Sequence, residues 1–206
     1  LGLSKMAYNF LGGVIKNASS LSAFFNPTIN SYRRINAPPT KSGASWSPSS
    51  ISYTGNNRTH MIRIPDPGRF ELRLMDGSAN PYLLQAGIIA SGIDGMEQKR
   101  DPGPPLFINM YTEGDKYPNL KKLPSNLEQA LEHLSNSEIL LSAFGKKNIE
   151  RLKKDNNTGW LDITVKVPNG IFKLTLFKLF PVAPLISRNL PFFAKRLFCG
   201  IGINFL

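Results

Sequence analysis

Between Ser4 and Phe24 the apolar residues Met6, Phe10, Leu11, Val14, Ile15, Ala18 and Leu21 recur at helical spacing, and Asn26-Pro27 ends the run. The spacing predicts one amphipathic helix, weakened by Gly12 and Gly13. Residues 26 to 57 are rich in Asn, Pro, Ser, Thr and Gly and read as a long loop region with a short strand at Ile51 to Tyr53. Loops of that length inside a compact domain are usually functional. Two strands are predicted next, His60 to Ile64 and Arg69 to Leu74, joined by the turn residues Pro65-Asp66-Pro67-Gly68. In the second strand, alternation puts Phe70, Leu72 and Leu74 on one face and Arg69, Glu71 and Arg73 on the other. Asn80-Pro81 then supplies an N-cap and a first-turn proline for a helix running to about Gln98. Its small residues, Ala86, Gly87, Ala90, Ser91 and Gly92, imply close packing against another element. After the breaker Asp101-Pro-Gly-Pro-Pro, a polar connection through Lys122 leads to Ser125. Ser125 and Glu128 have capping-box spacing ahead of an apolar run, and a further helix is predicted from Ser137 to Lys154.

Composition narrows the class. The chain has 206 residues, of which 41% are hydrophobic and 19% charged, which excludes a disordered, collagen-like or coiled-coil protein. The lone Cys199 excludes an internal disulfide and a cysteine-based zinc site, and points to a reducing, cytoplasmic compartment. The apolar run from Leu179 to Ser187 is broken by Pro181 and Pro184 and is too short to span a membrane. Net charge is +11. Residues 157–206 hold six basic side chains against Asp162 alone, and seven of the 13 Phe, so composition breaks near Asn156. Phosphate-loop, dinucleotide-binding, zinc-protease and nucleophile-elbow motifs are absent from the sequence. His60 and His133 lack the neighbouring ligands a metal site needs, and neither is assigned a role.

The chemistry lies in arginine. From Asn26 to Asp76 there are six Arg (33, 34, 58, 63, 69 and 73), one Lys and three acids. Surface decoration would draw on lysine, and three acids cannot pair six arginines. The planar guanidinium fork binds carboxylates and phosphates in bidentate fashion, so the bias points to an anionic ligand. A carboxylate between two arginines on one strand face, Arg69-Phe-Glu71-Leu-Arg73, fits phosphoryl transfer. The same pattern also occurs as a cross-strand ion-pair ladder.

Four strings carry a family resemblance: Asn26-Pro-Thr-Ile-Asn-Ser-Tyr-Arg-Arg34, Asn57-Arg58-Thr-His-Met-Ile-Arg63-Ile-Pro65, Arg69-Phe-Glu71-Leu-Arg73 and Asp76-Gly-Ser-Ala-Asn-Pro-Tyr82. In this order, within about sixty residues, they resemble the C-terminal half of the glutamine synthetase catalytic domain. INAPPTKSGASWSP and YTGNNRTHMIRIPDPGRFELRL resemble the branch that includes γ-glutamylmethylamide synthetases. The resemblance implies an α+β fold in which antiparallel strands form the active-site sheet and pack with helices. It implies an ATP-dependent ligase that makes an amide on the glutamate γ-carboxylate through a γ-glutamyl phosphate. By the same resemblance Arg34 contacts glutamate or the transferred phosphoryl group, and Arg58 and Arg63 hold ATP phosphates. Arg69 lies along the nucleotide, Glu71 ligates Mg²⁺ or Mn²⁺, and Arg73 binds the α-carboxylate of glutamate. Arg34 and Arg58 are the catalytic candidates. The acceptor is ammonia or methylamine, and the full-length parent is expected to be a homo-oligomer, with no nucleic-acid or membrane partner.

The sequence departs from the family at three places. The family's flap glutamate, which closes the site and takes a proton from ammonium, has no counterpart, because no Asp or Glu occurs from Leu1 to Pro65. That absence marks an amine-using branch or gives the task to another group. The family's other metal ligands and its small N-terminal domain lie upstream of Leu1, so the chain is expected to be inactive alone. The resemblance covers residues 1–156 as a partial catalytic domain and ends there. Residues 157–206 form a Phe-rich basic tail, expected not to pack as the family's C terminus does and possible as out-of-frame sequence. Two other classes compete: a basic RNA- or lipid-binding module, whose affinity would fall steeply with salt, and a degenerate homologue kept for assembly, against which the intact arginine set argues. Limited proteolysis is expected to cut preferentially near Asn156, and the absence of a preferred cut would contradict that boundary.

Overall fold

A computed structural model describes residues 1–38 and 47–154, together with the backbone of 162–167 and 170–175. Helix α1 (Lys5–Lys16) starts at Ser4, whose hydroxyl accepts the Ala7 N–H at 3.2 Å. The predicted single helix is in fact two, because α2 (Ala18–Phe25) begins after a break at Asn17. There the Asn17 amide donates to the Gly13 carbonyl at 3.1 Å and competes with the backbone ladder, as asparagine does inside helices. A third helix, α3 (Ile29–Ile35), lies within the segment read as loop. It is held by a reciprocal cap in which Thr28 and Ser31 each accept the other's backbone N–H. The Ser at the third helical position, where a capping box has Glu or Gln, and the seven-residue length conceal it from periodicity.

Strands β1 (Tyr53–Thr54), β2 (Ile62–Asp66) and β3 (Arg69–Leu72) form one sheet in that order, β1 parallel and β3 antiparallel to β2. The first two start about two residues later than the sequence predicts. The β2–β3 turn narrows to Pro67-Gly68, with Gly68 at φ +79°, a conformation that glycine adopts without strain. Helix α4 (Pro81–Glu97) forms as predicted, with Asn80 accepting from the N–H groups of Tyr82 and Leu83 at 3.0 and 3.3 Å. Two short helical turns in the connection, α5 (Met110–Glu113) and a 3₁₀ turn at Gly114–Lys116, precede α6 (Leu127–Ser135). The α6 cap falls one residue later than the spacing indicated, on Asn126, while Ser125 donates to Gln129. The last predicted helix is divided into α7 (Glu138–Phe144) and α8 (Lys146–Lys154) by Gly145 at φ +83°. Beyond it, β4 (Asp162–Val167) and β5 (Gly170–Thr175) pair antiparallel, while the remainder of the tail boundary drawn at Asn156 lies outside the described residues.

The core joins the helices to the back of the sheet. Phe10, Leu11, Leu21, Phe24 and Phe25 are buried with Met61, Ile62, Leu74, Leu140 and Phe144. Ring contacts tie the layers: Phe10 meets Phe70 of β3 at 6.2 Å between centroids, and Phe24 meets Phe144 of α7 at 4.8 Å. Helices α1 and α4 touch backbone to backbone. A Cβ on Gly13 would lie 2.0 Å from the Ser91 carbonyl oxygen, and one on Gly95 would lie 2.2 Å from that of Asn9. His60 is fully buried, with Nδ1 2.9 Å from the Ser52 hydroxyl and Nε2 3.0 Å from the Ile108 carbonyl. A carbonyl only accepts, so Nε2 carries the proton and Nδ1 accepts from Ser52. Burial lowers the His60 pKa, the Ile108 bond opposing, and the residue serves as a structural pin.

Two outcomes follow from this packing. Gly13→Ala and Gly95→Ala are expected to destabilise the protein by about 1–3 kcal/mol, because the clash is with backbone and exceeds the helix-propensity gain of about 1 kcal/mol. Gly77→Ala, where a Cβ meets nothing within 4 Å, is the matched control in denaturant titration. Below the ordinary histidine pKa of about 6.5 the unfolded chain takes a proton that buried His60 resists, so stability falls as pH drops from there toward the lowered folded value. Denaturation midpoints at pH 7 and pH 5 should differ less in His60→Gln than in the parent.

Candidate active site

The antiparallel register sets Arg63 of β2 directly opposite Glu71 of β3. Cross-strand partners share a face, so their side chains meet: Arg63 Nε donates to Glu71 Oε2 at 2.7 Å, and Arg63 Nη1 to Asn56 Oδ1 at 3.2 Å. The other Glu71 oxygen lies 3.4 Å from Arg73 Nε. One carboxylate thus holds two guanidinium groups, all three side chains largely shielded from solvent. Burial lowers the Arg73 pKa. Glu71 and Tyr111 act against that, and the like charges of Arg63 and Arg58 add to it. Arg58 itself is exposed, yet close enough to Arg73 for its charge to be felt. Among the described residues, Arg73 Nη1 is buried with no hydrogen-bond partner.

Arg34, in the last turn of α3, reaches the residues that follow β3. Its Nη2 donates to Asn26 Oδ1 and to the Leu74 carbonyl, both at 2.9 Å, and its Nε lies 3.9 Å from Asp76 Oδ2. That Nε is buried and, among the described residues, without a hydrogen-bond partner. Burial lowers the Arg34 pKa while Asp76 opposes the shift. Asp76 also experiences desolvation, which would raise its pKa. The backbone and hydroxyl of Ser78, the Ser31 hydroxyl and Arg34 together bring it below the ordinary carboxylate value.

The fold therefore brings Arg58, Arg63, Glu71 and Arg73 together and sets Arg34 beside Leu74, the residue after Arg73. Arg69 is different. A register irregularity between Arg63 and Asp66 puts it at the hairpin end, where it pairs with Asp66. The sequence pattern missed Asn26, Asn56 and Asp76, which orient the arginines. Asn26 was marked as a helix stop, and Asn26 and Asp76 each open one of the strings that carry the family resemblance, but nothing local tied them to Arg34. An open depression of about 570 Å³ adjoins the cluster at Asn56 and is walled in part by Thr54, Phe107 and Glu113.

Buried guanidinium N–H groups without acceptors, in a cluster with more cations than carboxylates, suit phosphate or carboxylate oxygens. A divalent cation fits less well. Mg²⁺ needs octahedral oxygen ligands, but the described residues contain no group of three or more His, Cys, Asp or Glu able to hold an ion. Both oxygens of Glu71 face arginines. These residues alone do not form a metal centre, and Glu71 would be the one ligand they contribute. No helix among the described residues is long and apolar enough to cross a membrane.

Comparison with known proteins gives a consistent family. The model of the glutamine synthetase catalytic domain matches residues 1–172, past the Asn156 boundary. Glutamine synthetase of Rhizobium meliloti (strain 1021) is 56% identical over 146 residues, covering 71% of this chain and 34% of the relative. Glutamate–methylamine ligase of Methyloversatilis universalis is 45% identical over 148 residues, covering 70% and 33%. Among solved structures, the GmaS/ADP complex in conformation 1 gives a TM-score of 0.62 at 57% identity, covering 66% of this chain and 32% of that one. Apo GmaS without ligand gives 0.66 at 46% identity, covering 74% and 34%. The chain thus spans about a third of the length of the relatives it matches. With most of its length matched by the family model and the expected α+β fold in place, this chain belongs to the glutamine synthetase family, as part of the catalytic domain.

Proposed function

We propose that this chain supplies one wall of an ATP-dependent ligase site that forms an amide on the γ-carboxylate of glutamate. The observation that carries the reading is the Arg63–Glu71–Arg73 cluster, with the unpartnered buried N–H groups of Arg73 and Arg34 beside it. In the reaction, a γ-carboxylate oxygen of glutamate attacks the γ-phosphorus of ATP, the bond to ADP breaks, and γ-glutamyl phosphate forms. The nitrogen of ammonia then attacks the acyl carbon, the carbon–oxygen bond to phosphate breaks, and nitrogen loses a proton. Both steps develop negative charge on oxygen, which fixed guanidinium groups stabilise without reorganisation.

In this reading Arg58 and Arg63 hold ATP phosphates, and Arg69 lies along the nucleotide. Arg73 takes the α-carboxylate of glutamate, and Arg34 the substrate or the transferred phosphoryl group. Glu71 keeps the forks of Arg63 and Arg73 fixed and is the single carboxylate available to a divalent ion. The whole enzyme is a homo-oligomer whose remaining site residues come from outside this chain. A methylamine-using variant of the reaction is the second reading. It is favoured by the absence of any acid from Leu1 to Pro65 and by the similarity to a glutamate–methylamine ligase.

In the full-length protein containing this chain, phosphate release from ATP is expected when glutamate is supplied with ammonium or methylamine, and the faster acceptor decides between the two readings. Release with neither would overturn both. Arg73→Lys keeps the charge but loses the fork, and should lower kcat/KM for glutamate by roughly tenfold or more with little change in KM for ATP. Arg63→Lys should show the opposite split.

A further inference from the structure

Asn26 is wholly buried at the end of α2 and gives its side-chain oxygen to Arg34. Its side-chain nitrogen has no hydrogen-bond partner among the described residues. A buried amide with an idle N–H₂ weakens the fold, and a leucine of similar shape would avoid the cost. The amide cannot be turned to relieve it, because rotation would set N–H₂ against the guanidinium, donor against donor. The backbone beneath is fixed as well: Pro27 disfavours the helical region for Asn26, which lies at φ −132° and ψ 68°, and the Asn26 N–H is bonded to the Ser22 carbonyl at 2.8 Å. A short side chain on a fixed backbone places its oxygen accurately. On the other side, the Leu74 carbonyl takes a second bond from the same Arg34 Nη2. Two acceptors on one nitrogen define the guanidinium plane. Asp76, at 3.9 Å from Nε, supplies charge without a hydrogen bond.

We infer that Asn26 is a positioning residue for Arg34: its amide oxygen fixes the rotation of the guanidinium that the ligase reaction uses. The inference rests on the proposed role of Arg34, and its test separates the two. In the full-length enzyme, Asn26→Leu removes the acceptor and the idle donor together, so folding is retained. Its kcat/KM for glutamate should fall by about tenfold, the scale of a lost hydrogen bond to a charged group, with KM for ATP little changed. Asn26→Asp keeps the acceptor and should restore most of the loss. Arg34→Ala combined with Asn26→Leu should be no slower than Arg34→Ala alone, because the amide acts only through Arg34. Unchanged kinetics in folded Asn26→Leu, failure of Asn26→Asp to recover, or losses that multiply in the double variant would overturn the inference. Full activity in Arg34→Ala would instead overturn the role proposed for Arg34.

Discussion

Three partly buried guanidinium groups, Arg34, Arg63 and Arg73, are held by two carboxylates, Glu71 and Asp76. That imbalance is the constraint on which the site depends. A buried cation without a full complement of acceptors is tolerated only where the surrounding structure fixes it, and here the fixing is backbone work. The β2–β3 register brings Glu71 between Arg63 and Arg73, and the Leu74 carbonyl meets Arg34 one residue beyond Arg73. One strand and its continuation thus organise the cationic wall.

The strand is held in turn by the helices. Phe70, between Arg69 and Glu71, puts its ring against Phe10 of α1, so the residue that separates two charged neighbours also anchors them. Asp76 gives its N–H to the Phe25 carbonyl at 2.9 Å, joining the chain after β3 to the end of α2, close to Asn26. The glycine contact between α1 and α4 lets the two helix backbones approach within the space of a missing methyl group. Packing that tight gives the sheet a rigid base, and rigid elements keep charged side chains in reacting geometry.

Membership of the glutamine synthetase family rests on more of the chain than the site does, since the family model extends through residue 172. The arginine chemistry adds a physical reason for the match. The reaction proposed above, which moves a phosphoryl group onto a carboxylate, would require cations fixed before charge develops, and the four sequence motifs are where this chain concentrates its arginines.

Local rules made much of the fold legible. Asn80-Pro81 marked the start of α4, the alternation of Arg69, Glu71 and Arg73 marked a strand with one charged face, and the small residues of α4 marked a close contact. Periodicity failed where a side chain or a single φ angle decided the outcome: the Asn17 amide that breaks α1 from α2, the Thr28–Ser31 cap that starts α3, and Gly145 dividing α7 from α8. The sequence by itself determined which residues carry charge and which face of β3 they share, because those depend on neighbours along the chain. Only the tertiary structure decided that Arg69 turns to Asp66 while Arg63 takes Glu71, and that Asn26 and Leu74 grip Arg34. Those pairings join residues up to 40 positions apart, as Arg34 with Leu74, and register and burial, which no local pattern encodes, select among the acceptors within reach.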